Sequence, residues 1–315
     1  MTNQSSSSEN LFNPNRALNK ITERVVVVIL GIFAFISIAT TVGIILTLAS
    51  ETWAFFQKVP IWRFLTDTAW TPLFTNPQYG ILVLLSGTFL TSIIAILVAL
   101  PLGLLSAIYL SEYAPAKLRR WVKPAIEVLA GVPTVVFGYF ALLFVTPLLQ
   151  DTIFSLPLMP DLEGFNALSA GLVMGIAITP LVASISEDTI YSVPQDLRQG
   201  AYAMGCTKKE VVTGVVIPAA LSGIVASFIL AVSRAVGETM IVTVAAGMNP
   251  TLTLNPLVSV QTMTSFIVQV SLGDAPTGSI AYQTLFAVGS TLFLITLALN
   301  IFSFWFVRRF REQYE

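Results

Sequence analysis

Two ionisable side chains stand inside one of the most apolar stretches of the chain: Arg234 and Glu238, within Ser-Arg-Ala-Val-Gly-Glu-Thr-Met at residues 233–240. A charge at the centre of a bilayer costs about 2.5–3.5 kcal/mol on insertion scales, so such residues face a protein interior or water. Four residues apart on a helix, the two would lie one above the other on a single face. A guanidinium is a planar fork matching the oxygens of a tetrahedral oxyanion, and the carboxylate could tether or gate it. Arg234 and Glu238 therefore read as pathway residues for an anion, the other reading being a buried ion pair that locks one helix to its neighbour. Thr134, directly after Pro133 in another apolar run, is a second candidate. Its hydroxyl could meet an anion or repair the helix around the proline.

Composition bounds what such residues can do. The 315 residues are 55% hydrophobic and only 10% charged, with a mean hydropathy of +0.81, where soluble domains carry about 25% charged residues. That balance predicts an integral membrane protein. The chain has no histidine and one cysteine, Cys206, so an intrachain disulfide is impossible and histidine-dependent catalysis or metal binding is not expected. No GxxxxGK[ST] phosphate loop occurs. If nucleotide energy is used, another chain must bind the nucleotide. No cofactor and no metal site is expected, and the chain reads as a transport subunit without catalysis of its own.

Apolar runs at residues 25–48, 81–110, 128–149, 167–186, 215–247 and 282–307 each reach the roughly 20 residues needed to cross the hydrocarbon. Backbone groups in lipid must pair within their own segment, so these are helices. The fold class is all-α, a polytopic membrane protein with six transmembrane helices. Basic residues set the orientation. Arg16, Lys20 and Arg24 precede the first span, and Lys117, Arg119, Arg120 and Lys123 separate the second from the third. Arg198, Lys208 and Lys209 separate the fourth from the fifth, and Arg308, Arg309 and Arg311 follow the sixth. Both termini are thus expected in the cytoplasm, with residues 1–20 a flexible tail and 21–312 the transmembrane domain. Outer loops are expected at 49–80, 150–166 and 248–281. Within the last, residues 258–272 are short and carry Gln261, Thr262, Thr264, Ser265 and Gln269. A seventh span there would move Arg308–Arg311 outside, so this piece reads as interfacial or reentrant.

The cytoplasmic loop at 193–216 has the shape of a handle. Leu197, Ala201 and Met204 share a helical face, Gly205 allows a bend, and Lys208-Lys209-Glu210-Val211-Val212 starts a second helix. Pro218 fits near the start of the next span, where a missing N–H costs least. Such an element suits a groove on a cytoplasmic partner, or else lies on lipid headgroups.

This loop resembles the signature of ABC-importer permeases: Glu-Ala-Ala, three residues, Gly, nine residues, Ile, any residue, Leu-Pro. The chain reads Gln199-Gly200-Ala201, Gly205, then Val215, Ile217 and Pro218 at matching spacing. Gln199 replaces the Glu, which removes a charged contact. Residues 79–92, 99–115, 129–142 and 233–240 are similar to spans of Pst-type phosphate permeases. The stretch at 62–72 resembles the PstC-type subunit. That resemblance implies the ABC importer permease fold, with Gln199, Gly200, Ala201, Gly205 and Pro218 belonging to the element that couples to the ATPase. It also implies a PstA-type permease partner, two ATP-binding cassette subunits and a periplasmic phosphate-binding protein in the cell inner membrane. A permease for molybdate or sulfate is the alternative the residues leave open. A secondary transporter would work without an ATPase, and an intramembrane enzyme lacks the paired carboxylates or histidine it would need.

Overall fold

The computed structural model describes residues 16–155, 160–273 and 275–310. Residues 1–15 of the expected tail and Arg311 lie outside them. The chain divides into two units, residues 1–51 and 52–315. Helix α1 (Arg16–Lys58) begins inside the expected tail, whose residues 16–20 are helical. Residues 22–47 on α1 are exposed throughout.

The second unit contains α2 (Ile61–Thr66), α3 (Ile81–Ile108), α4 (Ala116–Ala130), α5 (Thr134–Phe140), α6 (Thr146–Thr152) and α7 (Ala167–Tyr191). These are followed by α8 (Gln195–Ala203), α9 (Lys208–Val211), α10 (Ile217–Val236), α11 (Met240–Ala245), α12 (Met263–Leu272) and α13 (Ile280–Phe310). Five-residue π turns at Tyr109–Tyr113, Ala141–Val145 and Val212–Val216 join α3 to the loop after it, α5 to α6, and α9 to α10. Among the described residues six helical stretches, the third running from α5 through the π turn to α6, are long and apolar enough to cross a membrane, as the hydropathy predicts.

The core is the contact between α3 and α7. Apolar helices gain nothing by leaving lipid for each other, so they associate where small residues let the backbones approach. A Cβ on Gly171 would stand 2.7 Å from Ile94, one on Gly175 2.7 Å from the Ala95 carbonyl, and one on Gly103 2.6 Å from Val182. Ala95, Ala99, Ala170 and Ala231 fill the same seam with small side chains. At the end where α3 and α7 begin, Asn166 caps α7 by accepting from the Ser169 amide at 2.7 Å. There Phe55, Phe64, Trp70, Tyr79 and Phe266 form a second cluster, with Trp70 and Phe266 edge to face at 5.0 Å. At the opposite end Ala107, Ile190, Val193, Val211, Val216, Ala220 and Ile224 make a third, on which α8 and α9 rest.

Three expectations are corrected. The third span starts at Thr134, because α4 stops at Ala130 and Pro133 precedes α5 as its cap; residues 131–133 form a bend. The fifth span ends at Val236 and, after a break at residues 237–239, resumes as the short α11. Residues 263–272 form α12, whose first turn is buried; of the interfacial and reentrant readings of 258–272, this burial overturns the interfacial one. Thr88 on α3 accepts from the Met263 amide at 3.0 Å.

Gly175→Ala would push a methyl group against the Ala95 carbonyl and cost about 1–3 kcal/mol. Melting of the purified chain in detergent should show a lowered midpoint. Gly43→Ala, where nothing lies within 4 Å, should change stability by no more than about 0.5 kcal/mol.

Candidate functional site

Arg234 sits in the last turn of α10, where it is exposed. Among the described residues no hydrogen bond or ion pair reaches it. The expected stack with Glu238 does not form, because the helix ends between the two: Gly237 takes φ −90° and ψ 0°. The Glu238 carboxylate turns forward instead and accepts from the Met240 and Ile241 amides at 3.2 and 3.4 Å. A carboxylate is stabilised beside the free N–H groups of a helix start, and this one holds the first turn of α11. Its own carbonyl accepts from the Thr264 hydroxyl on α12 at 2.7 Å. A locking Arg234–Glu238 pair is therefore absent among the described residues.

Thr134 opens α5 and is half-buried. Helix repair is not its role, since the chain is already out of the helix at Pro133. Gly138 presses α5 onto α11: a Cβ there would meet Val244 at 3.0 Å and the Met240 carbonyl at 3.2 Å. The structure thus brings together the two short helices that carry Thr134 and follow Glu238, with no bond between those two side chains among the described residues.

The handle forms as helix, bend, helix. Gly205 takes φ +85°, a left-handed conformation that glycine adopts without strain. Thr207 and Glu210 cap α9 reciprocally, as in a capping box. Pro218 lies in the first turn of α10. Gln199 and Gly200 face outward and Ala201 is half-buried. Two residues of the apolar face expected to meet a partner are open to it. Leu197 and Met204 are exposed, Met204 by 85%, and the side chain turned inward is Arg198. Its Nη2 donates to Glu112 Oε1 at 2.9 Å and to the Ile190 carbonyl at 2.8 Å.

Glu187 and Asp188, which as end charges would be solvated, instead meet α4. Glu187 is only 1% exposed and is ion-paired with Arg119 and Lys123, while Lys123 also reaches Asp188. Arg119 lies over the Tyr191 ring at 3.9 Å. Lys123 titrates above an ordinary lysine: burial works to lower it, but hydrogen bonds to Asp188 and Glu187 raise it by more. A raised value means the contact contributes fully below about pH 10.4, the ordinary lysine pKa, and is lost only as pH climbs through the raised one. Arg119 and Lys123 stand four apart, so their shared face on α4 was a readable signal; that a carboxylate three helices along the chain would complete it was not.

Six membrane-long helices, interrupted spans at the charged residues and an exposed capped handle at one end define a membrane transport subunit. The family described as "Binding-protein-dependent transport system inner membrane component" matches residues 99–312, and the chain belongs to it. Two relatives are more particular. YqgH of Bacillus subtilis, named as an ABC transporter permease protein, is 32% identical and the match covers 90% of this chain and 89% of that one. The phosphate transport system permease protein PstC of Mesorhizobium japonicum is 34% identical, covering 81% and 80%. Among solved structures, a bacterial alginate ABC transporter in complex with its pentasaccharide-bound periplasmic protein shares the fold. Its matched chain gives a TM-score of 0.63 at 14% identity, covering 94% of this chain and 99% of that one. The protein is accordingly a multi-pass membrane permease.

Removing one partner of a buried charge cluster costs about 3–5 kcal/mol. Glu187→Ala should lower the melting midpoint of the detergent-solubilised chain accordingly. Asp188→Asn, at a side chain 63% exposed, should cost less than about 1 kcal/mol.

Proposed function

We propose that the chain is the PstC-type permease subunit of an ATP-driven phosphate importer. Its relatives include phosphate permeases over most of their length, and the observation that carries the reading is Arg234. An exposed guanidinium without a partner among the described residues, on a helix of membrane-spanning length, would cost about 2.5–3.5 kcal/mol against acyl chains. The face of α10 that bears it therefore meets a water-filled passage or a second subunit. A PstA-type permease would complete that passage. Two ATP-binding subunits would take α8 and its exposed Gln199, Gly200, Tyr202 and Met204, and a periplasmic phosphate-binding protein would deliver the anion. Basic residues on α4 and at Arg308 and Arg309 share the α8 end of the bundle, which supports cytoplasmic termini. On this reading residues 193–216 are the coupling loop of a permease domain at 21–312, with outer loops at 49–80, 150–166 and 248–281.

The chemistry is transfer of an anion between donors. Arg234 offers two parallel N–H groups to phosphate oxygens. Glu238, held by the α11 amides, leaves that fork free; swung back to Arg234 it would compete with the anion, and so acts as a gate. Thr134 adds a hydroxyl from α5. Motion of α8, driven by nucleotide bound on the partner, exposes these groups to one side of the membrane and then the other.

The test is the complex of this chain with its second permease, ATPase and binding protein in liposomes. ATP-dependent uptake should favour phosphate over sulfate and molybdate. Arg234→Lys, which keeps charge but loses the fork, should reduce uptake at least about tenfold, or 1.4 kcal/mol, while the ATPase stays bound. Preferred uptake of another oxyanion would overturn the substrate, and loss of the assembled complex would make Arg234 a structural lock.

A further inference from the structure

Arg198 is the most deeply buried cation among the described residues, 7% exposed, and it lies on the one helix proposed to face the ATPase. It belongs to no transport pathway, and the docking surface of α8 points the other way. Adhesion of α8 to the bundle does not require it. Val193, Val211 and the half-buried Ala201 and Cys206 already form an apolar seat there, and replacing a buried ion pair by apolar side chains is often neutral or stabilising.

What the guanidinium adds is direction. One nitrogen, Nη2, bonds two acceptors on two different elements: Glu112 in the π turn at the end of α3, and the carbonyl of Ile190 in the last turn of α7. Those two helices form the central seam of the bundle. The last turns of α7 are joined onward as well. Ser186 and Ser227 share a buried hydrogen bond to α10 at 2.8 Å, and Glu187 holds α4. A displacement of α8 thus reaches α3 and α7 through a rigid planar group, whereas the surrounding apolar contacts can slide. The bracket is also under-bonded in this conformation. Arg198 Nε is buried with no hydrogen-bond partner among the described residues. A buried unpaired donor is costly, and a side-on grip on Glu112 through Nε and Nη2 would satisfy it. The guanidinium therefore has a second arrangement within reach, and a coupling element needs two.

We propose that Arg198 is the positioning residue that transmits the motion of α8 to the bundle, acting through Glu112 and the Ile190 carbonyl. This rests on α8 being the ATPase-docking helix. The experiment compares Arg198→Lys, which keeps the charge but loses the rigid planar group and its Nε donor, with Glu112→Gln, which keeps one acceptor oxygen but cannot take the side-on grip and leaves α8 untouched. Each is assembled into the full complex in liposomes, and phosphate taken up per ATP hydrolysed is measured beside ATPase retention. Both variants should retain the ATPase and hydrolyse ATP, with uptake per ATP falling roughly three- to tenfold. Unchanged uptake per ATP in both would overturn the proposal. Loss of the ATPase from both would overturn it too, leaving Arg198 a determinant of how α8 is placed. If the parent complex itself shows no ATP-dependent phosphate uptake, the functional reading fails before the variants are compared.

Discussion

Close approach of α3 and α7 is the constraint on which the other elements depend. Lipid gives apolar helices no reason to associate, so the seam is made by removing side chains: Gly103, Gly171 and Gly175 stand where a methyl group would collide with the opposite helix. Two rods packed backbone to backbone present fixed ends. One receives the aromatic cluster around Trp70 and Phe266, the other the three elements that carry charge, α4, α8 and the π turn holding Glu112. The ion pairs of Glu187 and Arg198 form at that second end, both side chains buried.

Arg234 and Glu238 belong together in sequence but not in contact. Breaking α10 at Gly237 separates a free cation from a carboxylate occupied by backbone amides. The same break creates α11, and the Glu238 carbonyl is held by Thr264 on α12. A helix interrupted in lipid must satisfy the groups it exposes. Here Thr264 does so, while Thr262 and Ser265 cap α12 itself and Gln261 bonds Gln269.

Membrane architecture was legible because hydropathy and the siting of lysine and arginine are summed over tens of residues. The handle was legible from Gly205 and its spacing to Pro218. Less visible was anything decided by one residue's backbone or by a partner far along the chain. Gly237 and Pro133 end helices that periodicity carries through, and Arg198 and Glu187 look like solvated loop charges until α3, α4 and α7 close on them. Periodicity marked the apolar face of α8 but gave no sign that Arg198 would be the side chain turned inward, toward two buried acceptors. Neither acceptor is adjacent in sequence.

Each π turn holds one residue more than an α turn, which offsets the phase of the helix on either side by about 100°. Two such wrists, Tyr109–Tyr113 and Val212–Val216, lie toward the α8 end, and Glu112 is part of the first. A rod with a wrist can swivel its short inner piece while its long piece stays meshed with a neighbour, and every carbonyl can change partner by a single step. Motion passed by Arg198 to Glu112 would therefore enter α3 where its hydrogen bonding is already one step out of α register.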